Sequence, residues 1–138
     1  MMERELLLHL SELSPEPLHA QISRQIRAKV LARELSGDDA LPSIRALARE
    51  QRVSVITVQR AYEDLEREGL LRSRPGKGFF VAAIPEERTQ HMAEGRFKEA
   101  LSRVVEGGRG DGLTEEQIRE AFERVLHESK AARKKGRG

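Results

Sequence analysis

Between Ser54 and Arg60 the chain sets two hydroxyls, Ser54 and Thr57, an amide, Gln59, and a guanidinium, Arg60, within seven residues. A second group, Arg72, Arg74 and Lys77, surrounds Gly76 with no acid between its members, a local excess of three positive charges, and Arg45 stands alone upstream. Such groups donate and accept hydrogen bonds and attract anions. None is a nucleophile beside a base, so their joint chemistry is recognition of phosphate oxygens and polar edges. The catalytic alternatives lack residues. There is no Cys, which removes thiolate catalysis, disulfides and cysteine zinc sites. His9, His19, His91 and His127 are scattered, with no Asp or Glu at ligand spacing. No metal site, cofactor or triad is therefore expected. Gly76-Lys77-Gly78 lacks the further glycines and the following Ser or Thr that a nucleotide loop requires. The chain is not expected to be an enzyme.

The elements that position these groups follow from hydrophobic spacing. The 138 residues suit one small domain with an appendage. With 38% hydrophobic and 35% charged residues, the core must be assembled from amphipathic pieces, and four Phe, one Tyr and no Trp make it aliphatic. A net charge of +2 does not by itself announce a nucleic-acid partner; the distribution of charge has to. Leu6-Leu7-Leu8 is too short for a signal peptide or membrane span, so a cytoplasmic chain with no membrane partner is expected. Glu5 to Leu10 reads as an edge strand or a capping arm. Leu18, Ile22, Ile26 and Val30 recur every fourth residue, predicting a helix from Pro17 to about residue 34 that Ser36-Gly37-Asp38-Asp39 ends. A short second helix opens at Pro42-Ser43 and runs through Glu50. Gln51-Arg52-Val53 breaks it, and Ser54 caps a third helix that stops near Gly69, a C′ glycine. Leu70–Arg74 and Phe79–Ala82 predict two strands joined by Pro75-Gly76-Lys77-Gly78.

Leu47, Ala48, Val53, Val58 and Ala61 are expected to face inward, with Ala48 small where the second and third helices approach. The outer face of the third helix is then free to enter a groove, which is the chemistry of major-groove reading. Past Pro85, the apolar residues Ala93, Phe97, Ala100, Leu101, Val104 and Val105 form a stripe between Glu86 and Glu106. The glycine run from Gly107 to Gly112 reads as a hinge or sharp turn. Thr114 and Gln117 form a capping box for a last helix with Ile118, Ala121, Phe122, Val125 and Leu126 on one face. Lys130 to Gly138, basic and broken by small residues, reads as a disordered tail.

Taken together, Pro17-Leu18-His19-x-Gln21-Ile22, Leu41-Pro42-Ser43-Ile44-Arg45-x-Leu47-Ala48, Val53-Ser54-x-x-Thr57-Val58, Ala61-Tyr62-x-x-Leu65-x-x-Glu68-Gly69-Leu70-Leu71 and Arg74-x-Gly76-Lys77-Gly78-x-Phe80-Val81 resemble the GntR family of bacterial winged helix-turn-helix transcription regulators. The resemblance spans about residues 15–83. It implies operator contact by Arg45, hydroxyl contacts from Ser54 and Thr57 at the start of the recognition helix, and a wing tip, Gly76 and Lys77, in the minor groove. Gln59 falls at a base-reading position whose identity varies in the family, so no operator sequence follows. Val55 and Ile56 depart from the polar residues common there and could touch a thymine methyl. Arg52 stands where glycine is usual, Phe79 replaces a common threonine, and Pro75 replaces a polar or basic residue. The two helices after the wing look like the YtrA-type subfamily, in which they are the dimerisation element.

The expected fold is mainly α with a small β wing (α+β): an N-terminal arm over 1–14, a winged helix-turn-helix domain over 15–83, a two-helix C-terminal dimerisation hairpin over 84–129, and the basic tail over 130–138. The expected function is a homodimeric regulator, a repressor before an activator, on a palindromic operator in double-stranded DNA. Its DNA contacts would be Arg45, Ser54, Val55, Ile56, Thr57, Gln59, Arg60, Arg72, Arg74, Gly76 and Lys77, and its dimer contacts Phe97, Leu101, Val104, Phe122 and Val125. A small-molecule effector, if one acts, would sit at the dimer interface or between the two parts. The alternative is a winged-helix adaptor for protein or RNA; sequence-selective, salt-sensitive duplex binding separates the two.

Overall fold

A computed structural model of the chain describes residues 6–136. The first five residues of the expected arm, with Arg137 and Gly138 of the tail, lie outside that range. The order is α1 (Leu18–Leu31), α2 (Ile44–Gln51), α3 (Val55–Arg67), β1 (Leu71–Arg74), β2 (Gly78–Val81), α4 (Glu86–Gly110) and α5 (Glu115–Gly136). The chain forms two compact units, one ending at Ala93 and the other beginning at Glu94. The first therefore extends past Ala83, where the sequence suggested a boundary. The reason lies in α4: Thr89 is buried and Met92 packs against the first unit's core.

In the first unit α3 is the hub, packed against α1, α2 and β1. Val58, Ala61, Tyr62 and Leu65 place one fully buried stripe against Ile22 and Ile26 of α1 and Leu47 of α2. Tyr62, the largest of them, donates its hydroxyl to the Pro42 carbonyl at 2.8 Å and meets Phe79 edge to face. Over its described residues the arm is a capping arm and not a strand. Leu6 and Leu8 enter the core, while Gln25 of α1 accepts from the His9 N–H and donates to its carbonyl, each at 2.8 Å. Side-chain amides thus take the place of a strand partner.

The helix starts obey the predicted chemistry. Ser43 accepts the Ala46 N–H at 3.1 Å and Ser54 the Thr57 N–H at 3.0 Å, satisfying donors that a first helical turn leaves open. Gly69 follows α3 at φ 80°, the left-handed conformation of a C′ glycine. Arg52 takes that conformation too, at φ 56° and ψ 45°. The turn between α2 and α3 therefore keeps its left-handed geometry although no glycine supplies it.

In the wing, β1 and β2 pair antiparallel from Leu71↔Val81 to Arg74↔Gly78. The Lys77 N–H returns to the Arg74 carbonyl at 2.9 Å, with Pro75 and Gly76 (φ 73°) between them, the pattern of a type II turn. On the other edge of β2, Asp38 donates its N–H to the Val81 carbonyl and Leu41 to the Phe79 carbonyl, and Ala40 bridges Phe80. Residues 38–41 thereby act as a third strand fragment.

In the second unit two expectations give way. The glycine run does not break α4, which continues through Gly107, Gly108 and Gly110; the turn comes at Asp111 and Gly112 (φ 90°). At Gly108 an added Cβ would meet Ile118 and Leu113 at 3.5 Å, ordinary van der Waals contact, so the packing there does not depend on glycine. Nor is the tail irregular over its described residues, since α5 runs to Gly136. Lys130 to Lys135 are Lys, Ala and Arg, strong helix formers, and positive charge complements the negative end of the helix dipole. Thr114 and Gln117 do form the reciprocal capping box, at 2.9 and 3.1 Å.

Candidate nucleic-acid interface

The inward face of α3 is consumed by the core, which fixes what its outer face can do. Ser54, Val55, Ile56, Gln59 and Arg60 all stand exposed, with Val55 at 44% and Ile56 at 76%. Two aliphatic side chains left in water beside a helix start have no packing role in this unit. Thr57 is half-buried, and its hydroxyl lies 2.7 Å from the Ser54 hydroxyl. Both hydroxyls are thus engaged in the cap, which holds the helix start in a fixed orientation. Gln59 donates its amide to Glu63 at 3.0 Å, one helical turn on; that contact orients the amide.

On α2, Arg45 is exposed and makes no ion pair among the described residues. The surface salt bridge to Glu50 that would give it a structural role is not formed. A charge held on a short, capped helix in this way is available to an anion.

The structure changes the electrostatics of the wing. Arg72 and Arg74 stand two residues apart on β1, and both reach the same Asp38 oxygen, at 2.9 and 3.4 Å. Arg74 also lies 4.5 Å from the centroid of the Phe80 ring. The three positive charges are therefore answered by one acid, leaving a local excess of two, and Lys77 at the turn is the cation without an ion pair among the described residues. Glu66 of α3 accepts the Ser73 N–H at 3.0 Å and its hydroxyl at 2.6 Å, tying the wing to the recognition helix. Spacing could have suggested Glu63, four residues from Gln59. It could not have suggested Asp38, 34 and 36 residues from its partners. Among the described residues no group of acids and histidines is placed to hold a metal.

In the second unit, Phe97, Leu101, Val104, Phe122 and Val125 lie along one open groove between α4 and α5. Beyond the turn the two helices make little backbone contact. Leu101 is half-buried, but Phe97 is 59%, Val104 70%, Phe122 40% and Val125 63% exposed.

Residues 18–81 match the pattern of bacterial regulatory proteins of the gntR family. The HTH-type transcriptional regulator YhcF of Bacillus subtilis is 33% identical over 109 residues, covering 79% of this chain and 89% of that protein. The chain belongs to the GntR family. As a GntR-family protein it is a DNA-binding transcription regulator and not an enzyme. It is also 27% identical to the HTH-type transcriptional repressor YtrA of Bacillus subtilis over 131 residues, 93% of this chain and 98% of YtrA, so the likeness includes the C-terminal helices. Among solved structures, a transcriptional regulator from Oenococcus oeni superposes with a TM-score of 0.67 at 27% identity, covering 85% of this chain and 97% of that one. No helix among the described residues is long and apolar enough to cross a membrane.

Proposed function

We propose that this GntR-family protein is a homodimeric repressor that sets two copies of α3 into successive major grooves of a palindromic operator. The observation that carries the reading is the outer face of α3, capped by Ser54 and exposed at Val55, Ile56, Gln59 and Arg60, together with Arg45 of α2, which makes no ion pair among the described residues. A helix N-terminus offers N–H groups and a positive dipole end to phosphate, and side chains in its first turns reach base edges. Gln59 is the base-reading amide, Val55 and Ile56 meet thymine methyl groups, and Arg45, Arg60, Ser54 and Thr57 approach the backbone. The wing, with Arg72, Arg74, Gly76 and Lys77, grips a flanking groove. A repressor role rests on the likeness to YtrA, which carries that name. The setting is the cytoplasm.

The dimer is formed by the open groove. Large side chains 40–70% exposed along one helical pair have no cover among the described residues, and a second copy of the same face supplies it with two-fold symmetry. Two-fold protein symmetry in turn requires two-fold symmetry in the DNA.

Selection of binding sites from a randomised duplex pool, combined with sedimentation of the same protein, tests the reading. An enriched palindrome bound by a dimer is expected. No enrichment, or sequence-selective binding by a monomer, would remove it. Phe97→Asp with Val104→Asp should dissociate the dimer and weaken operator binding at least tenfold while the first unit stays folded.

A further inference from the structure

We propose that Asp38 is an internal substitute for a DNA phosphate: in the free protein it occupies the two wing arginines, and duplex binding must displace it. The proposal rests on the wing contacting DNA, as argued above. Asp38 is held from the backbone side. Its N–H donates to the Val81 carbonyl at 2.8 Å, and its φ of 69° aims the residue out of the extended path followed by residues 39–41. The backbone of Asp38 is thereby held beside β2, and one of its carboxylate oxygens accepts from Nη2 of Arg72 at 2.9 Å and Nη2 of Arg74 at 3.4 Å. Arg74 is additionally seated over Phe80 at 4.5 Å, so the guanidinium is placed as well as neutralised.

All three charged groups remain in contact with water, Asp38 at 57%, Arg72 at 53% and Arg74 at 44% exposed. Exposed ion pairs of this kind are weak and exchange with other anions. A phosphate likewise presents anionic oxygens that accept from a guanidinium and meets it at least as well. When the wing approaches a duplex, the arginines can turn from the carboxylate to the backbone while Asp38 stays behind, tied to β2. The anchored carboxylate then faces the DNA as an uncompensated negative charge. Asp38 therefore sets an affinity ceiling on every duplex. Because phosphates carry no sequence information, the ceiling is the same for the operator and for unrelated DNA.

The test is Asp38→Asn in the full chain, measured on a duplex from the randomised pool and on a random-sequence duplex across a salt series. Asn adopts a positive φ readily and keeps the N–H to Val81; Asp38→Gly is the second variant, free of side-chain hydrogen bonding. Both variants should tighten binding to both duplexes by about three- to tenfold, the worth of two exposed ion pairs. The salt dependence should steepen by roughly one further phosphate contact. In an Arg72→Ala/Arg74→Ala background the gain should shrink to what the carboxylate's own repulsion of the duplex contributes, well below the gain in the parent. If the double arginine variant weakens binding but the Asp38 variants leave it unchanged or weaken it too, the proposal falls and Asp38 is a scaffold for the wing. If the double arginine variant binds as the parent does, the wing reading itself falls, and this inference with it.

Discussion

Arg52→Gly should stabilise the protein, an unusual direction for replacing a charged side chain by nothing. Arg52 closes α2 at φ 56° and ψ 45°, and its N–H reaches the Ala48 and Arg49 carbonyls in that conformation. A side chain held left-handed costs about 1–2 kcal/mol, which glycine relieves. Against this, glycine frees the unfolded chain and returns about 0.4–1 kcal/mol. The guanidinium has little to lose, since it is exposed and makes no ion pair among the described residues. The net gain is about 1 kcal/mol, which for a unit of this size moves the thermal midpoint by roughly 4–8 °C. Arg52→Ala is the control: it removes the same side chain and keeps the strain, so it should match the parent within about 0.5 kcal/mol. Urea unfolding at constant protein concentration, with unchanged slope, measures both. Arg33 shows why the φ value alone is not enough. At φ 60° it is equally strained, yet its guanidinium donates to the Ile84 carbonyl at 3.1 Å, and glycine there would give up that tie. If Arg52→Gly is no more stable than Arg52→Ala, the left-handed turn carries no strain and the reasoning fails.

Arg45→Ala should weaken binding to the operator and to unrelated duplex alike, lower the salt slope by about one phosphate contact and leave the urea midpoint unmoved, because the exposed guanidinium supports nothing in the fold; a shifted midpoint would mark it as structural. Tyr62→Phe should cost about 1–2 kcal/mol in urea unfolding, since the buried Pro42 carbonyl loses the hydroxyl it accepts at 2.8 Å. An unchanged midpoint would mean that another donor replaces it. Hydrogen bonds from the Arg24 guanidinium, followed by its charge, hold the Glu16 carboxyl below the ordinary carboxylate range. A carboxyl lowered in the folded state adds stability above its unfolded value and loses it as pH falls through the folded one. The small advantage of the parent over Glu16→Gln should therefore shrink on acidification below about pH 4.3; an advantage that grows there would contradict the assignment.

What the sequence alone determined is local. Ser43, Ser54 and Thr114 cap helices because a hydroxyl three residues before an open N–H is a short-range fact, legible without neighbours. The four-residue recurrence of Leu18, Ile22, Ile26 and Val30 names a buried face, and Pro75-Gly76 names a tight turn, for the same reason. So the helix order, the wing and the outer face of α3 could all be read from residue types. The reading failed where local signals were overruled. Gly107, Gly108 and Gly110 look like a break, but flanking helix formers carry α4 through them. Lys130 to Lys135 look like a charged tail, but their propensity extends α5. What tertiary structure alone decided is electrostatic. Arg72, Arg74 and Lys77 form an unopposed cluster along the chain, yet residues 38–41 pair with β2 and bring Asp38 against two of them. Charge acts through space over a few ångströms, and backbone pairing between distant segments, not sequence spacing, decides which charges fall within that reach.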